Sequence, residues 1–363
     1  MLEATLYRDQ FATAAMRAVW SERATLGAWL QTEAAIAACQ ADLGLVPRAL
    51  AEALAALAPD AIDRARFNAD MDLVGRPIVG LLAQVREILG PDLAAHLHRG
   101  ATTQDIMDTG LALQMAAGRD LLLAQVDGVL GLIDGLAAAH GATPMVGRTN
   151  GQHALPITFG AKLAVWSAEL RRRRETLETA AQRGLMVQFG GPVGDLRAFD
   201  GDTGPRLKRA IAERLGLGLC EPHWQNARDG VAEVVGALGL LCGSLDKIAR
   251  NVNALSSSDI GELHETPGPG KGASSSMGHK RNQRCSEFAE AVGRLGRQRA
   301  QDIHEAARHD HERSGGAWIA EWVIVPQVFL LASGALMWTE RLFGQLEVDA
   351  GRMAANLAGC LEA

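Results

Sequence analysis

The placement of proline constrains this chain more than any other feature. The 363 residues contain twelve prolines, at positions 47, 59, 77, 91, 144, 156, 192, 205, 222, 267, 269 and 326. Residues 92–143, 223–266 and 270–325 therefore contain none. Proline interrupts helices and central strands alike. Proline-free stretches rich in Ala, Leu and Arg favour long helices, because these side chains lose little rotamer freedom there. Aromatic residues are only 4% of the chain, with a single tyrosine, too few for a β-rich fold. The expected fold class is all-α, with a long-helix bundle as its core.

The segments follow from the same marks. Residues 1–91 have closely spaced prolines and read as a smaller N-terminal helical domain. Ser21 is placed to cap a helix through Leu30, Ala34 and Ala38 that closes at Gly44 and Pro47. A second helix follows Pro47 and stops before Pro59. Residues 92–345 form the central bundle domain and 346–363 a short C-terminal helical remnant. Helices are expected over 103–140, 157–187, 228–255, 283–313 and 317–343. The first, if fully helical, is about 57 Å long. The third carries Val231/Val234, Leu238/Leu241, Leu245/Ile248 and Val252/Leu255, an a/d seam kept over four heptads. Helices of such length need partners along their whole extent.

Several function classes drop out. Charges or turn residues interrupt the apolar runs before 18 positions, so no membrane span is expected. The N-terminus lacks a basic region followed by an apolar run, so no secretory leader is read. Cys39, Cys220, Cys242, Cys285 and Cys360 are scattered, odd in number and without a CxxC pair, which fits a reducing cytoplasm. A net charge of -6 without a long basic run argues against a nucleic-acid partner.

Four polar segments break the helical pattern. Residues 265–278 lie between two long helices and lead through Ser274, Ser275 and Ser276 to Lys280, Arg281, Asn282 and, further on, Glu287. Glycines ending at a helix N-terminus offer free N–H groups to a carboxylate or phosphate. The alternative is a flexible linker with a solvated basic end. His98 to Asp105 enters the first long helix, where Thr102 or Thr103 is placed to cap it and Asp105 suits the helix dipole. Gly147 to Pro156 is rich in hydrogen-bonding groups, among them Thr149, Asn150, Gln152 and His153. His309 to Arg313 reads as an ion-paired helix end, because histidines at i, i+2 point to different helix faces and make a poor metal site.

Together and in this order, the segments resemble the fumarase/aspartase superfamily, also called the argininosuccinate lyase family. Ala273 to Gln283 resembles its serine-loop signature, usually G-S-S-x-M-P-x-K-x-N-P. HRGATTQDIMDT and GRTNGQHALPITFGAKLAVW resemble its first and second conserved regions. QHALPITFG, Trp224 ahead of Arg228-Asp229, and His311 to Trp322 look most like the 3-carboxy-cis,cis-muconate cycloisomerase branch, with adenylosuccinate lyase-like features. The chain length suggests that the C-terminal domain of many such relatives is reduced or absent.

The resemblance implies chemistry at a carbon next to a carboxylate, through an aci-carboxylate whose charge appears only on the way to product. It implies Ser274 as the proton-exchanging hydroxyl, Lys280 and Asn282 as carboxylate holders, and Glu287 as the group that orients a further partner. His98, Thr102, Thr103, Thr149, Asn150, Gln152, Arg228 and Ser275 would bind substrate, a small di- or tricarboxylate. It implies neither cofactor nor metal, and a homotetramer whose active sites are each drawn from three subunits. Three positions depart from the family pattern. Asn150 stands where lyases have His and many cycloisomerases Trp, which leaves His153 or His98 to supply acid–base chemistry. Gly278 and Gln283 replace two prolines, which frees the backbone there. A C–N or C–O lyase acting on a succinyl compound, and a non-catalytic homologue, are the competing readings.

Overall fold

The computed structural model describes residues 4–266, 268, 272, 276–277 and 282–361. The N-terminal unit holds α1 (Arg8–Phe11), α2 (Ala14–Val19), α3 (Glu22–Asp42), α4 (Arg48–Ala55), α5 (Arg64–Val74) and α6 (Pro77–Ala94). The Ser21 hydroxyl caps α3 by accepting from Ala24 N–H, and Pro47 precedes α4. Gly90 takes a positive φ before Pro91 and kinks α6.

The long elements follow: α7 (Thr103–His140), α8 (Phe159–Gly184), α9 (Thr203–Leu215), α10 (Asp229–Leu255), α11 (Arg284–Gln301), α12 (Ile303–Ala306), α13 (Gly315–Phe343) and α14 (Ala350–Leu361). Helix α10 packs against α8, α11 and α13, and α7 against α3, α8 and α13. The seam residues of α10 from Val231 to Leu255 are all buried at the centre of this bundle. The fold is all-α. A second core joins α3, α4 and α6 to the start of α7, to Val187 and Phe189, and to Leu207 and Ile211 of α9. Residues well beyond 91 therefore complete the apolar packing of the N-terminal helices.

Some details depart from the sequence reading. Among the described residues three two-stranded sheets occur: β1 (Pro144–Thr149) with β2 (Gln152–Thr158), β3 (Met186–Val187) with β4 (Gly218–Leu219), and β5 (Leu263–Glu265) with β6 (Leu346–Val348). The β1–β2 hairpin turns at Asn150-Gly151, whose φ angles of 51° and 79° are those of a two-residue turn with both central residues left-handed. Its strands tolerate Pro144 and Pro156 because the pair has no further strand neighbour among the described residues. Residues 307–314 are not helical, so His309 and Arg313 lie in the connection between α12 and α13. Helices α7 and α13 each contain an 18-residue window apolar enough, by length and composition alone, to cross a membrane. The sequence reading that every such run is interrupted does not hold for them, although both pack within the bundle.

Candidate active site

The proposed site segments fall into two groups at opposite ends of the bundle. The first surrounds the start of α7. Asp105 is fully buried in its first turn, and its carboxylate accepts four N–H groups. Oδ2 accepts from Thr102 N and Gly191 N, both at 2.9 Å, and Oδ1 from Gly190 N at 3.0 Å and Gln188 Nε2 at 3.1 Å. Burial pushes the Asp105 carboxyl up to about 6, outweighing these donors. Arg313 approaches from the other side and donates to Thr102 Oγ1 at 3.2 Å and to the Pro192 carbonyl. His98 Nδ1 lies 2.6 Å from Glu33 Oε1. Burial lowers the His98 imidazole, but the neighbouring Glu33 carboxylate outweighs it and the net shift is upward.

One turn further along α7, Asp108 accepts from Arg228 at 2.6 Å, from Trp318 Nε1 at 3.0 Å and from Gln104. The Arg228 guanidinium also pairs with Glu321 and stacks over Trp224 with 4.6 Å to the ring centroid. It has no exposed surface. Arg228 was read as a substrate ligand; here its donors serve two buried carboxylates and fasten α10 and α13 to α7. His309 is sealed beside this network, 3.8 Å from Glu321, with neither ring nitrogen hydrogen-bonded among the described residues. Burial, then the Arg228 charge, keep the imidazole below its ordinary value.

The second group lies at the far end. The hairpin exposes Thr149, Asn150, Gln152 and His153, and Leu155 beside them is 73% exposed. Arg148 anchors it through a bidentate pair with buried Glu262, at 2.7 and 3.0 Å. Next to Glu262 runs β5, which ends at Glu265. The Glu265 carboxylate accepts from Arg284, Cys285 and Ser286 N–H at 3.0–3.1 Å and from Gln345 Nε2. The N-terminus of α11 was expected to offer free N–H groups to a ligand carboxylate; a carboxylate of the same chain already takes them. Asn282 donates through N and Nδ2 to the Gly272 carbonyl, and Glu287 pairs with Arg284 at 2.8 Å on an exposed face. Ser274, Ser275 and Lys280 lie outside the described residues.

The 38 residues of α7 hold these groups about 57 Å apart along its axis. Helix α10 runs between the same two regions: it starts beside Asp108 and ends before Glu262, 27 residues or about 40 Å later. One chain thus places His98, Thr102 and Thr103 with Arg313 at one end of α7, and the hairpin, Asn282 and Glu287 toward the other, and does not bring the two sets together. Gln188 was not singled out, and His309 and Arg313 were read only as part of an ion-paired helix end, because only the fold brings residues so distant in sequence to the first turns of α7. The described residues hold no His, Cys, Asp and Glu cluster suited to a metal ion.

A family model described as lyase matches residues 8–294. The chain is 38% identical over 356 residues to 3-carboxy-cis,cis-muconate cycloisomerase of Bradyrhizobium diazoefficiens, covering 97% of this chain and 79% of that one. It is 33% identical to N-acetyl-S-(2-succino)cysteine lyase of Enterococcus italicus, covering 98% and 78%. The crystal structure of 3-carboxy-cis,cis-muconate lactonizing enzyme from Pseudomonas putida superposes with a TM-score of 0.88 at 36% identity, covering 97% and 79%.

Proposed function

The chain belongs to the fumarase/aspartase superfamily, and from that premise we propose that it is a cycloisomerase of 3-carboxy-cis,cis-muconate or a close analogue, acting in the cytoplasm in the breakdown of aromatic compounds. The observation that carries this reading is the 38% identity to a cycloisomerase over 97% of the chain. In the reaction, a substrate carboxylate oxygen bonds to one carbon of a C=C bond. The π pair moves to the neighbouring carbon and into its carboxylate, and a proton then closes the new C–H bond. The site has to hold the extra charge of the aci-carboxylate, which calls for fixed donors.

The distribution of donors supports a site shared between chains. One subunit would supply His98, Thr102, Thr103 and Arg313, a second the hairpin with Thr149, Asn150, Gln152 and His153, and a third Ser274, Ser275, Lys280, Asn282 and Glu287. Asn150 has no proton to exchange near neutral pH, so Ser274, Lys280 and His153 are the candidates for proton transfer, with Glu287 orienting them. A homotetramer is the assembly we propose. The exposed Leu155, Leu295 and Val323 support it, as does a groove of about 790 Å³ lined by Phe11, Trp20, Trp322 and Pro326.

The test is loss of the conjugated-diene absorbance of carboxymuconate, with a succinyl-cysteine substrate assayed in parallel. Turnover of the diene that disappears in Ser274→Ala is the expected result. Release of fumarate from the succinyl compound, with the diene untouched, would assign the chain to the lyases instead. Sedimentation at micromolar concentration should give a tetramer, and a monomer would remove the shared site.

A further inference from the structure

We infer that Asp105 is a positioning residue: its carboxylate ties the start of α7 at Thr102–Thr103 to the Gly190–Gly191 segment and so sets where Thr102 meets the substrate. The inference rests on the proposed role of Thr102 and Thr103 as substrate ligands. It goes beyond helix capping. Of the four bonds the carboxylate accepts, the capping box formed by Thr102 and Asp105 uses only the one from Thr102 N–H. Asp105 makes that bond and spends its remaining lone pairs on Gly190, Gly191 and Gln188, which are more than 80 residues away in sequence.

The backbone around it is built for this contact. Gly191 has a φ of 74°, and a Cβ there would lie 3.1 Å from the Gly100 carbonyl. The two segments approach so closely that a side chain at Gly191 would strain the backbone and press on the Gly100 carbonyl, and Asp105 accepts from Gly190 and Gly191 N–H at this junction. Gln188 is in turn fixed, because its N–H donates to Thr109 Oγ1, that hydroxyl donates to the Gln188 carbonyl, and Gln188 Oε1 accepts from Trp224 N. Thr102 is thereby held twice, through its N–H by Asp105 and through its hydroxyl by Arg313.

The charged groups that feel Asp105 are His98, Lys208 and Arg313. His98 is paired with Glu33, Lys208 donates to the Cys220 and Pro222 carbonyls, and Arg313 reaches Thr102 and Pro192. None of the three forms an ion pair with Asp105 among the described residues, so the four N–H donors are the direct partners of its ionised form. A protonated carboxyl turns one acceptor into a donor facing other donors, and the junction loosens.

Two measurements decide the matter. In the first, kcat and KM for carboxymuconate are followed against pH in the whole enzyme. Wild type should show an acid limb near pH 6. Asp105→Asn should raise KM about tenfold or more at pH 7.5 and lack the limb, while His98→Gln keeps it. An Asp105→Asn enzyme with unchanged kcat, KM and acid limb, altered only in melting temperature, would reduce Asp105 to a cap. The second uses wild type alone and stands even if the variant does not fold. Amide exchange at Thr102, Gly190 and Gly191, corrected for intrinsic rates, should speed up together between pH 7.5 and pH 5. Equal protection at both values overturns the inference. If wild type consumes no carboxymuconate, the functional reading fails, while the exchange measurement still reports on the tie itself.

Discussion

The Glu265 carboxylate lies across the start of α11, with Oε1 3.0 Å from the backbone N–H of Ser286. Arg284 and Cys285 N–H donate to its other oxygen, so one side chain satisfies three of the donors that a helix start leaves open. Replacing it by alanine should cost about 1–2 kcal/mol, the range of a charged cap. Urea unfolding of Glu265→Ala checks this, and a change within error of zero would mean that water replaces the carboxylate without loss.

Arg228 stands between Asp108 and Glu321 with all three side chains buried. Coulomb attraction from both carboxylates outweighs the cost of burial and holds its charge firmly in place. Removing the central cation strands two buried carboxylates, which typically costs about 3–5 kcal/mol. Arg228→Met should therefore be more destabilising than the triple replacement of Arg228, Asp108 and Glu321 by apolar residues. The opposite order in chemical denaturation would contradict the pairing.

His98 and Glu33 give the stability a pH dependence. Glu33 raises the imidazole in the folded chain above its unfolded value near 6.5, so the native state binds the proton more tightly. The pair's contribution is complete below 6.5 and disappears as pH climbs through the raised folded value. Wild type should lose stability over that interval, and His98→Gln should lose less. Parallel stability–pH curves for the two proteins would show that the pair is not linked to folding.

Chains that are inactive for different reasons should rescue one another if sites are shared. A Thr102→Ala, Thr103→Ala chain mixed with a Ser274→Ala chain and reassembled should recover part of the wild-type turnover, since some sites would draw only intact segments. No recovery from verified mixed tetramers would place the segments of each site on one chain.

The helical frame was legible because its signals are local and repeated. The expected 103–140 helix is α7 residue for residue, and the heptad seam lies at the bundle centre. The hairpin was legible in principle, since Asn150-Gly151 is a strong turn signal. Pro144 and Pro156 obscured it, because proline is excluded from central strands though not from an isolated pair. The ties of the site were hidden for a different reason. Glu265 and Ser286 are 21 positions apart, Asp105 and Gly191 are 86, and Arg228 and Glu321 are 93. No periodicity encodes such pairings; they exist only once the helices have packed.

Helix α7 also acts as a protractor. Each residue in it adds about 1.5 Å of length and about 100° of rotation. Thr102 is set at one tip and the hairpin leaves from the other, so their relative angle is counted in residues. Insertion of a single alanine at mid-helix would move the hairpin little in distance but swing it by roughly a quarter turn or more about the axis. An insertion of seven residues would restore the angle within about 20° and displace the hairpin by about 10 Å. An assembly that uses both tips therefore depends on the phase of this helix as well as its reach.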